Sequence, residues 1–467
     1  MLSELSAFFN PRGVAVIGAS DDPKKLGYEV FKNLRSYKGG KVYPINPRRE
    51  YVQGVKAFKS VLEVPGPVDM AVIVVPKKFV KQALIECGER GVKAVVIITA
   101  GFSEVGPEGA RDEEELVAIA RKYGMRIVGP NCVGVMNTRV DLNATFIMPA
   151  KKGSVAFVSQ SGALGGAIIY KTVKEKVGFS KFVSVGNMAD ADFADLMEYL
   201  ANDPETTAIA LYVEGLKDGK RFMEVARKVT RVKPVIALKG GRSEAGSKAV
   251  ASHTGSLAGN FRVYEAAFKQ AGVLVADAID EMISMARAFT QPLPKGDRVA
   301  ILTNAGGAGV LLTDQLEARG LKLANLSDGT RAHLKSFLPP IASVRNPVDT
   351  TAGARGRDYY ECVKALLTDS NVDLLVAACV VPTFAGMTPT EHAEGIIKAV
   401  KELGEGGVRK PVIAMFMAGH VSEESRRVLE ENNIPTYERP EDAAAAAAAL
   451  VRFAKIKGYW GRGFDTL

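Results

Sequence analysis

A histidine flanked by small and hydroxyl residues is the feature of this sequence with the clearest capacity for chemistry. His253 lies in the run Ser252-His253-Thr254-Gly255, which follows a predicted strand and a glycine-containing loop. A neutral imidazole can carry a phosphoryl group covalently near pH 7, provided that an acceptor holds its second ring nitrogen and donors surround the phosphoryl oxygens. Glu214, at the end of a predicted strand, is the candidate acceptor. The neighbouring candidates for phosphate binding are Ser252, Thr254 and Gly255. A structural role, the usual one for a lone histidine, is the alternative for His253.

A small-residue turn is the second candidate for phosphate chemistry. The run Ser159-Gln-Ser-Gly-Ala-Leu-Gly-Gly166 is predicted to open a helix. The first N–H groups of a helix have no intrahelical partner, and the helix dipole favours a negative charge beside them. Glycines let an oxyanion approach the backbone closely. The turn therefore predicts an anion site, and a well-capped helix without a ligand is the alternative.

The first predicted strand ends in a turn of the nucleotide-binding type. Its residues Ile17-Gly18-Ala19-Ser20 lack the full G-x-G-x-x-G spacing. The second predicted strand leads into Asn46-Pro47-Arg48-Arg49, where NAD-binding proteins carry an acidic residue for the ribose hydroxyls. Arginines at this place favour a phosphorylated ribose, as in NADP or in the 3′-phosphate of coenzyme A. An ordinary solvated basic turn is the alternative.

Further strand-end loops are expected at the same face, because ligands of open α/β sheets bind beyond the carboxyl ends of the strands. The candidate residues in these loops are Val75, Pro76, Lys77, Thr99, Ala100, Gly101 and Asn131. Cys132 is interpreted as a packed thiol, because no histidine occurs in the first 130 residues to activate it. Two other histidines, His333 and His392, lie in helix-like polar stretches and are expected at the surface.

The elements that must position these residues alternate between strands and helices along the chain. Continuous apolar runs such as Met70–Val75 and Ala94–Thr99 are typical of parallel strands buried on both faces. The predicted fold class is therefore α/β, with doubly wound parallel sheets. We expect three domains of this kind, over residues 1–130, over 150–290 with His253, and over 296–460.

The second and third predicted domains carry matching strand–glycine–helix junctions. Gly153–Gly166 is similar to Gly296–Gly309, which indicates a duplication. Between the first two domains we expect a polar connection over residues 135–152. The alanine-rich tract Ala443–Ala449 is bracketed closely by charged residues and is interpreted as a surface helix.

Composition excludes several classes of function. The 467 residues carry a net charge of +9, which suits an anionic ligand or is a plain surface bias. Because the surplus forms no stripe and aromatic residues make up only 7%, no nucleic-acid partner is expected. No long uncharged apolar run and no signal peptide are found, so no membrane partner is expected. The four scattered cysteines and four histidines predict a reduced, cytoplasmic protein without a metal site.

These motifs, in this order, resemble the α subunits of the NDP-forming acyl-CoA synthetases. The likeness is strongest to the ADP-forming acetyl-CoA synthetases, and succinyl-CoA synthetase is a more distant relative. It spans essentially the whole chain, including Gly129-Pro-Asn-Cys-Val-Gly134 and Arg345-Asn-Pro-Val-Asp-Thr350. The resemblance implies that the first domain is a Rossmann-like, coenzyme A-binding domain and that the other two are flavodoxin-like. The resemblance implies the interconversion of acyl-CoA, ADP and phosphate with acid, ATP and coenzyme A, through an acyl phosphate and a phosphohistidine.

The resemblance also implies roles for individual residues. His253 is expected to be phosphorylated, and Glu214 to form a hydrogen bond to it. The phosphate-cradling helix start is expected at Ser161, Gly162 and Ala163. Coenzyme A contacts are expected at Gly18, Ala19, Ser20, Asn46 and Arg48, together with the strand-end loops named above.

The nucleotide half of the reaction is expected in another chain. The family uses an ATP-grasp domain for ADP or ATP and Mg²⁺, and neither this domain nor a P-loop is found in the sequence. The resemblance therefore implies a separate ATP-grasp β subunit in an α2β2 assembly. Two alternatives stay open at this point: an NADP-linked oxidoreductase, and a non-catalytic coenzyme A-binding protein.

Overall fold

The computed structural model describes residues 5–174, 177–254 and 260–459, with the backbone alone at 173–174 and 251–254. The chain divides into two compact units, Met1–Val275 and Ala276–Leu467. Strands alternate with helices in both, and the predicted α/β class is confirmed. The three domain ranges expected from the sequence stay a prediction.

The first sheet of unit 1 has five parallel strands. Its strand order is 2-1-5-6-7, and strands 3 and 4 form a separate hairpin. Strands 1, 5 and 6 are buried at every position because helices cover both faces of the sheet. The strands are β1 (Gly13–Ile17), β2 (Lys41–Ile45), β3 (Tyr51–Val52), β4 (Val55–Lys56), β5 (Met70–Ile73), β6 (Ala94–Ile97) and β7 (Arg126–Val128). The helices are α1 (Leu26–Leu34), α2 (Lys77–Arg90) and α3 (Pro107–Lys122).

The second sheet of unit 1 has seven strands in the order 14-13-12-10-11-8-9. The strands are β8 (Gly134–Asn137), β9 (Leu142–Thr145), β10 (Lys151–Ser159), β11 (Gly178–Ser184), β12 (Ala208–Val213), β13 (Val235–Lys239) and β14 (Leu274–Ala276). The helices are α4 (Gly162–Lys174), α5 (Phe193–Ala201), α6 (Gly219–Val229), α7 (Glu244–Thr254) and α8 (Phe261–Gln270). Strands β10 to β13 pair in parallel, whereas β8 and β9 add an antiparallel edge.

The polar connection expected over 135–152 was wrong, because β8, β9 and the start of β10 occupy it. The polar side chains that suggested a loop are buried and hydrogen-bonded within the fold. Asn137 Nδ2 donates to the Phe9 carbonyl at 2.9 Å, and the Thr145 hydroxyl donates to Asn143 Oδ1 at 2.6 Å. Paired polar groups of this kind are tolerated in a strand that packs on both sides.

Unit 2 is built on one parallel sheet in the order 16-15-18-19-20, with strand 17 beside strand 15. Its strands are β15 (Arg298–Thr303), β16 (Lys322–Leu323), β17 (Val348–Asp349), β18 (Leu374–Val380), β19 (Val412–Met417) and β20 (Thr436–Tyr437). Its helices are α9 (Ile279–Ala288), α10 (Gly306–Ala318), α11 (Asp328–Phe337), α12 (Gly356–Thr368), α13 (Glu391–Glu405), α14 (Glu423–Glu431) and α15 (Pro440–Ile456).

Two surface assignments in unit 2 were wrong. The tract Ala443–Ala449 belongs to α15 and is buried throughout, because small side chains let this helix pack closely on α9 and α10. His392 is fully buried, with Nε2 2.9 Å from the Ala354 carbonyl and its ring edge-on to Tyr359. His333, in contrast, is exposed as predicted.

Candidate functional site

A cavity of about 1030 Å³ in unit 1 collects most of the predicted site residues. Its wall is formed by loops that follow the carboxyl ends of strands in both sheets of this unit, as expected for open α/β sheets. The predicted residues in the wall are Gly18, Ala19, Ser20, Asn46, Val75, Pro76, Thr99, Ala100, Asn131, Ser161, Gly162, Ala163 and Glu214.

The turn between β1 and α1 forms one end of this wall, and its shape depends on two glycines. Gly18 has a φ of +98° and donates its N–H to the Ile45 carbonyl at 3.1 Å. A Cβ at Gly27, in the first turn of α1, would lie 2.0 Å from the Gly18 carbonyl oxygen. Asn46 braces the same turn, because its Nδ2 donates to the Ala19 carbonyl at 2.8 Å. The turn thus leaves backbone close to the cavity.

Three predicted coenzyme A contacts lie outside the cavity wall. Arg48 is exposed, and its backbone N–H donates to Asn46 Oδ1 at 2.9 Å. The ammonium of Lys77 lies 2.5 Å from Asp112 on α3, so it is held by an ion pair. Gly101 donates its N–H to Glu104 Oε1 at 2.5 Å.

Cys132 agrees with the packed-thiol interpretation. Its thiol is buried and donates to the Ile97 carbonyl at 3.3 Å. Burial raises the pKa of this thiol to about 12, which keeps it protonated and weakly nucleophilic at neutral pH.

The start of α4 forms another part of the wall. Ser161 caps the helix, with its hydroxyl accepting the Leu164 N–H at 3.4 Å, and the Ser159 hydroxyl donates to the Ser161 carbonyl at 2.7 Å. Gly162 fits closely against Val133, since a Cβ there would lie 2.7 Å from a Val133 methyl carbon. Gly162 and Ala163 therefore bring the donor-rich end of a helix to the cavity.

Glu214 is held in place by Gln160, a residue that the sequence analysis did not single out. Gln160 Oε1 accepts the backbone N–H groups of Glu214 at 2.8 Å and Gly215 at 3.0 Å. The Tyr212 hydroxyl forms a hydrogen bond to the Glu214 carboxylate, and burial together with this negative charge raises the pKa of Tyr212 to about 12. Burial lowers the pKa of Lys239, whose ammonium donates to the Glu214 carbonyl at 2.8 Å.

The predicted phosphohistidine lies at the end of α7. This helix includes Ser252, His253 and Thr254, for which only the backbone is described. Gly255 lies outside the described residues. Strand β13, which precedes α7, pairs with β12, whose carboxyl end leads directly to Glu214. The chain order thus brings the histidine-bearing helix to the edge of the sheet that carries Glu214.

A polar network that no sequence motif indicated borders the cavity. Asn187 Nδ2 donates to Glu104 Oε2 at 2.6 Å and to Glu113 Oε2 at 2.9 Å, and Asn187 Oδ1 accepts from Asn131 Nδ2 at 3.2 Å. The Lys217 ammonium lies 3.3 Å from Glu113 Oε1. Asn131, Asn187 and Lys217 are all part of the cavity wall. Because the partners are far apart in sequence, their spacing carries no recognisable signal.

Neither a metal site nor a membrane span is found among the described residues. Across the ranges 5–174, 177–254 and 260–459, no three His, Cys, Asp or Glu side chains are grouped as a metal site. No helix in that part of the chain is both long and apolar enough to cross a membrane.

Models of three protein families match the chain in succession. The CoA binding domain matches residues 12–138, the succinyl-CoA ligase like flavodoxin domain matches residues 152–289, and the Ligase-CoA domain matches residues 299–463. The first match covers the first sheet and β8, and the second covers β11 to β14 and nearly all of β10.

Several acetate–CoA ligases are similar to this chain over nearly its whole length. The "Acetate--CoA ligase [ADP-forming] II subunit alpha" of Pyrococcus furiosus is 72% identical, covering 97% of this chain and 99% of its own. The "Acetate--CoA ligase [ADP-forming]" of Methanocaldococcus jannaschii is 45% identical, and the match covers 97% of this chain but 64% of that longer protein. A solved acetyl-coenzyme A synthetase 1 of Ca. Korarchaeum cryptofilum, in complex with phosphate and ADP, has a TM-score of 0.91 at 43% identity, covering 97% and 98% of the two chains.

Proposed function

Because the chain belongs to the family of ADP-forming acetate–CoA ligase α subunits, we propose that it is the α subunit of an ADP-forming acyl-CoA synthetase with acetyl-CoA among its substrates. The observation that carries the proposal is the single cavity that joins the β1–α1 turn, the start of α4 and Glu214. A nucleotide-type turn, a helix start suited to anions and a buried carboxylate are parts that this reaction needs in addition to His253.

The wall fits acyl-CoA at one end and phosphate at the other. At the nucleotide-type turn, Gly27 lets α1 pack directly on the Gly18 carbonyl, where a Cβ would lie 2.0 Å from the oxygen. This packing fixes the turn whose backbone belongs to the cavity wall. The N–H groups at the start of α4 are suited to hold phosphate beside the thioester. A phosphate oxygen bonds to the thioester carbonyl carbon and the C–S bond breaks, which gives coenzyme A and an acyl phosphate.

His253 then takes the phosphoryl group. A ring nitrogen bonds to phosphorus, the P–O bond to the acyl group breaks, and the free acid leaves. Glu214 orients the ring and stabilises its positive charge, and Gln160 fixes the loop that carries Glu214. The phosphohistidine finally transfers its phosphoryl group to ADP.

The transfer to ADP is assigned to a partner chain. The Methanocaldococcus relative is longer than this chain, and the match leaves about a third of it without a counterpart here. We place an ATP-grasp fold, Mg²⁺ and ADP or ATP in a separate β subunit, within an α2β2 assembly. The four free, buried cysteines support a reduced, cytoplasmic location.

The two alternatives are less well supported. An NADP-linked oxidoreductase has no counterpart among the relatives described above, which are acetate–CoA ligases and an acetyl-coenzyme A synthetase. A non-catalytic coenzyme A-binding protein makes no use of Glu214 or of the α4 helix start.

The test is phosphorylation of His253. The purified chain is incubated with acetyl-CoA, phosphate and Mg²⁺, alone and with its co-purified partner, and peptides are analysed by mass spectrometry under non-acidic conditions. We expect a phosphoryl group on His253 in the wild type and none in His253→Ala. His333→Ala, which alters an exposed histidine, is the matched control and should behave as the wild type. A His253→Ala protein that retains full synthetase activity with the partner would rule out the proposal.

A further inference from the structure

The side-chain amide of Asn187 has one orientation, because two carboxylates fix it. Its Nδ2 donates to Glu104 Oε2 at 2.6 Å and to Glu113 Oε2 at 2.9 Å. An amide nitrogen has two hydrogens and an ionised carboxylate only accepts, so both hydrogens are engaged. The opposite end of the amide, Oδ1, is therefore the end left for the cavity.

Both carboxylates are themselves held by other donors. Glu104 also accepts the N–H groups of Gly101 at 2.5 Å and Phe102 at 3.1 Å. Burial opposes ionisation of Glu104, but these hydrogen bonds and the one from Asn187 lower its pKa overall. Glu113 Oε2 accepts the Ser103 hydroxyl at 2.7 Å, and its Oε1 lies 3.3 Å from the Lys217 ammonium. A reversed Asn187 amide would place its oxygen against two negative charges.

Asn187 and Asn131 together present a hydrogen-bonding pair to the cavity. Asn187 Oδ1 accepts from Asn131 Nδ2 at 3.2 Å and has a second lone pair available for a ligand. The backbones are packed closely, because a Cβ at Gly186 would lie 2.4 Å from the Asn131 carbonyl oxygen. An acceptor beside an amide donor matches the N–H and C=O groups of a ligand amide.

The order of the strands places this pair away from the nucleotide-type turn. In the first sheet, β7, which leads to Asn131, lies three strands from β1, or roughly 14 Å at the usual spacing. In the second sheet, β11, which leads to Asn187, is the neighbour of β10 and hence of the α4 helix start. An extended arm that begins at the β1–α1 turn passes the pair as it reaches α4.

We propose that Asn187 is a positioning residue for the pantetheine arm of coenzyme A, with its Oδ1 accepting the amide N–H nearest the thioester. The inference rests on the proposed function, because it assumes that the cavity binds coenzyme A. Glu104 and Glu113 act through Asn187 by holding its amide nitrogen.

Two ligands distinguish a role of Asn187 in binding the pantetheine arm from a general loss of structure in the variant. Coenzyme A has the pantetheine arm, whereas adenosine 3′,5′-bisphosphate has only the nucleotide part. Calorimetric titration of the full chain should show that Asn187→Ala weakens coenzyme A binding about 3- to 10-fold, the effect of one hydrogen bond, with bisphosphate binding unchanged. Asn46→Ala is the matched control: it loosens the β1–α1 turn and should weaken both ligands.

Kinetics give a second readout in the presence of the partner. Asn187→Ala should raise the KM for acetyl-CoA while the KM for phosphate stays unchanged. Equal loss of both ligands, or no loss of coenzyme A affinity, would overturn the inference. If Asn187→Ala does not fold, Glu104→Gln releases the same amide and should show the same selectivity. Failure of the wild type to bind coenzyme A would instead refute the proposed function, and the inference with it.

Discussion

Gln160 has a large structural effect for a single side chain, because one oxygen satisfies two buried N–H groups. The residue is 8% exposed, and its Oε1 holds the backbone of Glu214 and Gly215. We expect Gln160→Leu to lower the free energy of unfolding by about 2 to 4 kcal/mol, since both N–H groups lose their acceptor. Loss of the Glu214 position should also reduce kcat for acyl-CoA synthesis.

Urea denaturation and steady-state rates with the partner measure these two effects. Gln82→Leu is the matched control, because Gln82 is exposed on α2, forms a hydrogen bond to Glu86 and is not part of the cavity wall. It should change both quantities little. If Gln160→Leu is as stable and as active as Gln82→Leu, Gln160 does not hold the Glu214 loop.

The buried pair Lys181–Asp203 predicts a pH dependence of stability. Burial raises the pKa of Asp203, but hydrogen bonds from Lys181 and Thr206 outweigh it and lower the pKa overall. A carboxyl whose pKa is lower in the folded state stabilises the fold above its unfolded pKa, and this stability is lost as the pH falls through the folded value. In Asp203→Asn, the free energy of unfolding should therefore fall less steeply than in the wild type below about pH 4. Urea titrations at successive pH values check this, and an unchanged slope would contradict it.

At the scale of single residues, the sequence predicted which loops come together. It was a poorer guide to the hydrogen-bond partner of each side chain. Glu214 and the Ser161–Ala163 turn lie in one wall because the carboxyl ends of parallel strands gather at one edge. Asn46 and Thr99 reach that wall, yet their side chains donate to backbone carbonyls of Ala19 and Val75. Hydrogen-bond partners of this kind depend on the fold, so spacing does not reveal them.

At the scale of elements, the contact of α1 with the β1–α1 turn sets the shape of the cavity wall at that turn. Gly27→Ala would place a Cβ 2.0 Å from the Gly18 carbonyl oxygen, so helix or turn must shift. We expect a loss of about 1 to 3 kcal/mol in stability from this overpacking. Affinity for adenosine 3′,5′-bisphosphate should fall with it, as measured by calorimetric titration.

Gly329→Ala provides the comparison for that substitution. Gly329 is an exposed helical residue of α11, and no atom lies within 4 Å of a Cβ built on it. The same chemical change there should be neutral or stabilising by about 0.5 to 1 kcal/mol. Equal effects at the two positions would mean that close approach at Gly27 is unimportant.

Elements were predictable from the sequence where their burial is uniform. Strands such as β5 and β6 are continuous apolar runs because helices cover both faces. Strand β8 and the edge strand β9 are only four residues each and contain asparagine or threonine, so their sequence resembles that of a loop. Helix α15 was predicted at the surface because alanine is compatible with both a buried and an exposed position. The burial of α15 depends on the helices that pack on it.

At the scale of the whole molecule, the first two sheets share a hydrophobic core. Val16 and Val72 of the first sheet belong to the same buried cluster as Val158 and Val183 of the second. This shared core explains why one compact unit, Met1–Val275, contains both sheets although each follows its own strand order. Strand periodicity in the sequence predicts where each sheet begins and ends. It does not predict which apolar faces of the two sheets pack together.

The same observation predicts that the first unit folds and binds without the second. Every residue of the cavity wall precedes position 218, and a fragment of residues 1–277 keeps the edge strand β14 intact. We expect this fragment to unfold in one cooperative transition, because its core is continuous. It should bind coenzyme A within about threefold of the full chain, a difference below 1 kcal/mol. Circular dichroism on heating and calorimetric titration measure both properties. A fragment that folds cooperatively but does not bind coenzyme A, while the full chain does, would show that unit 2 contributes to the site.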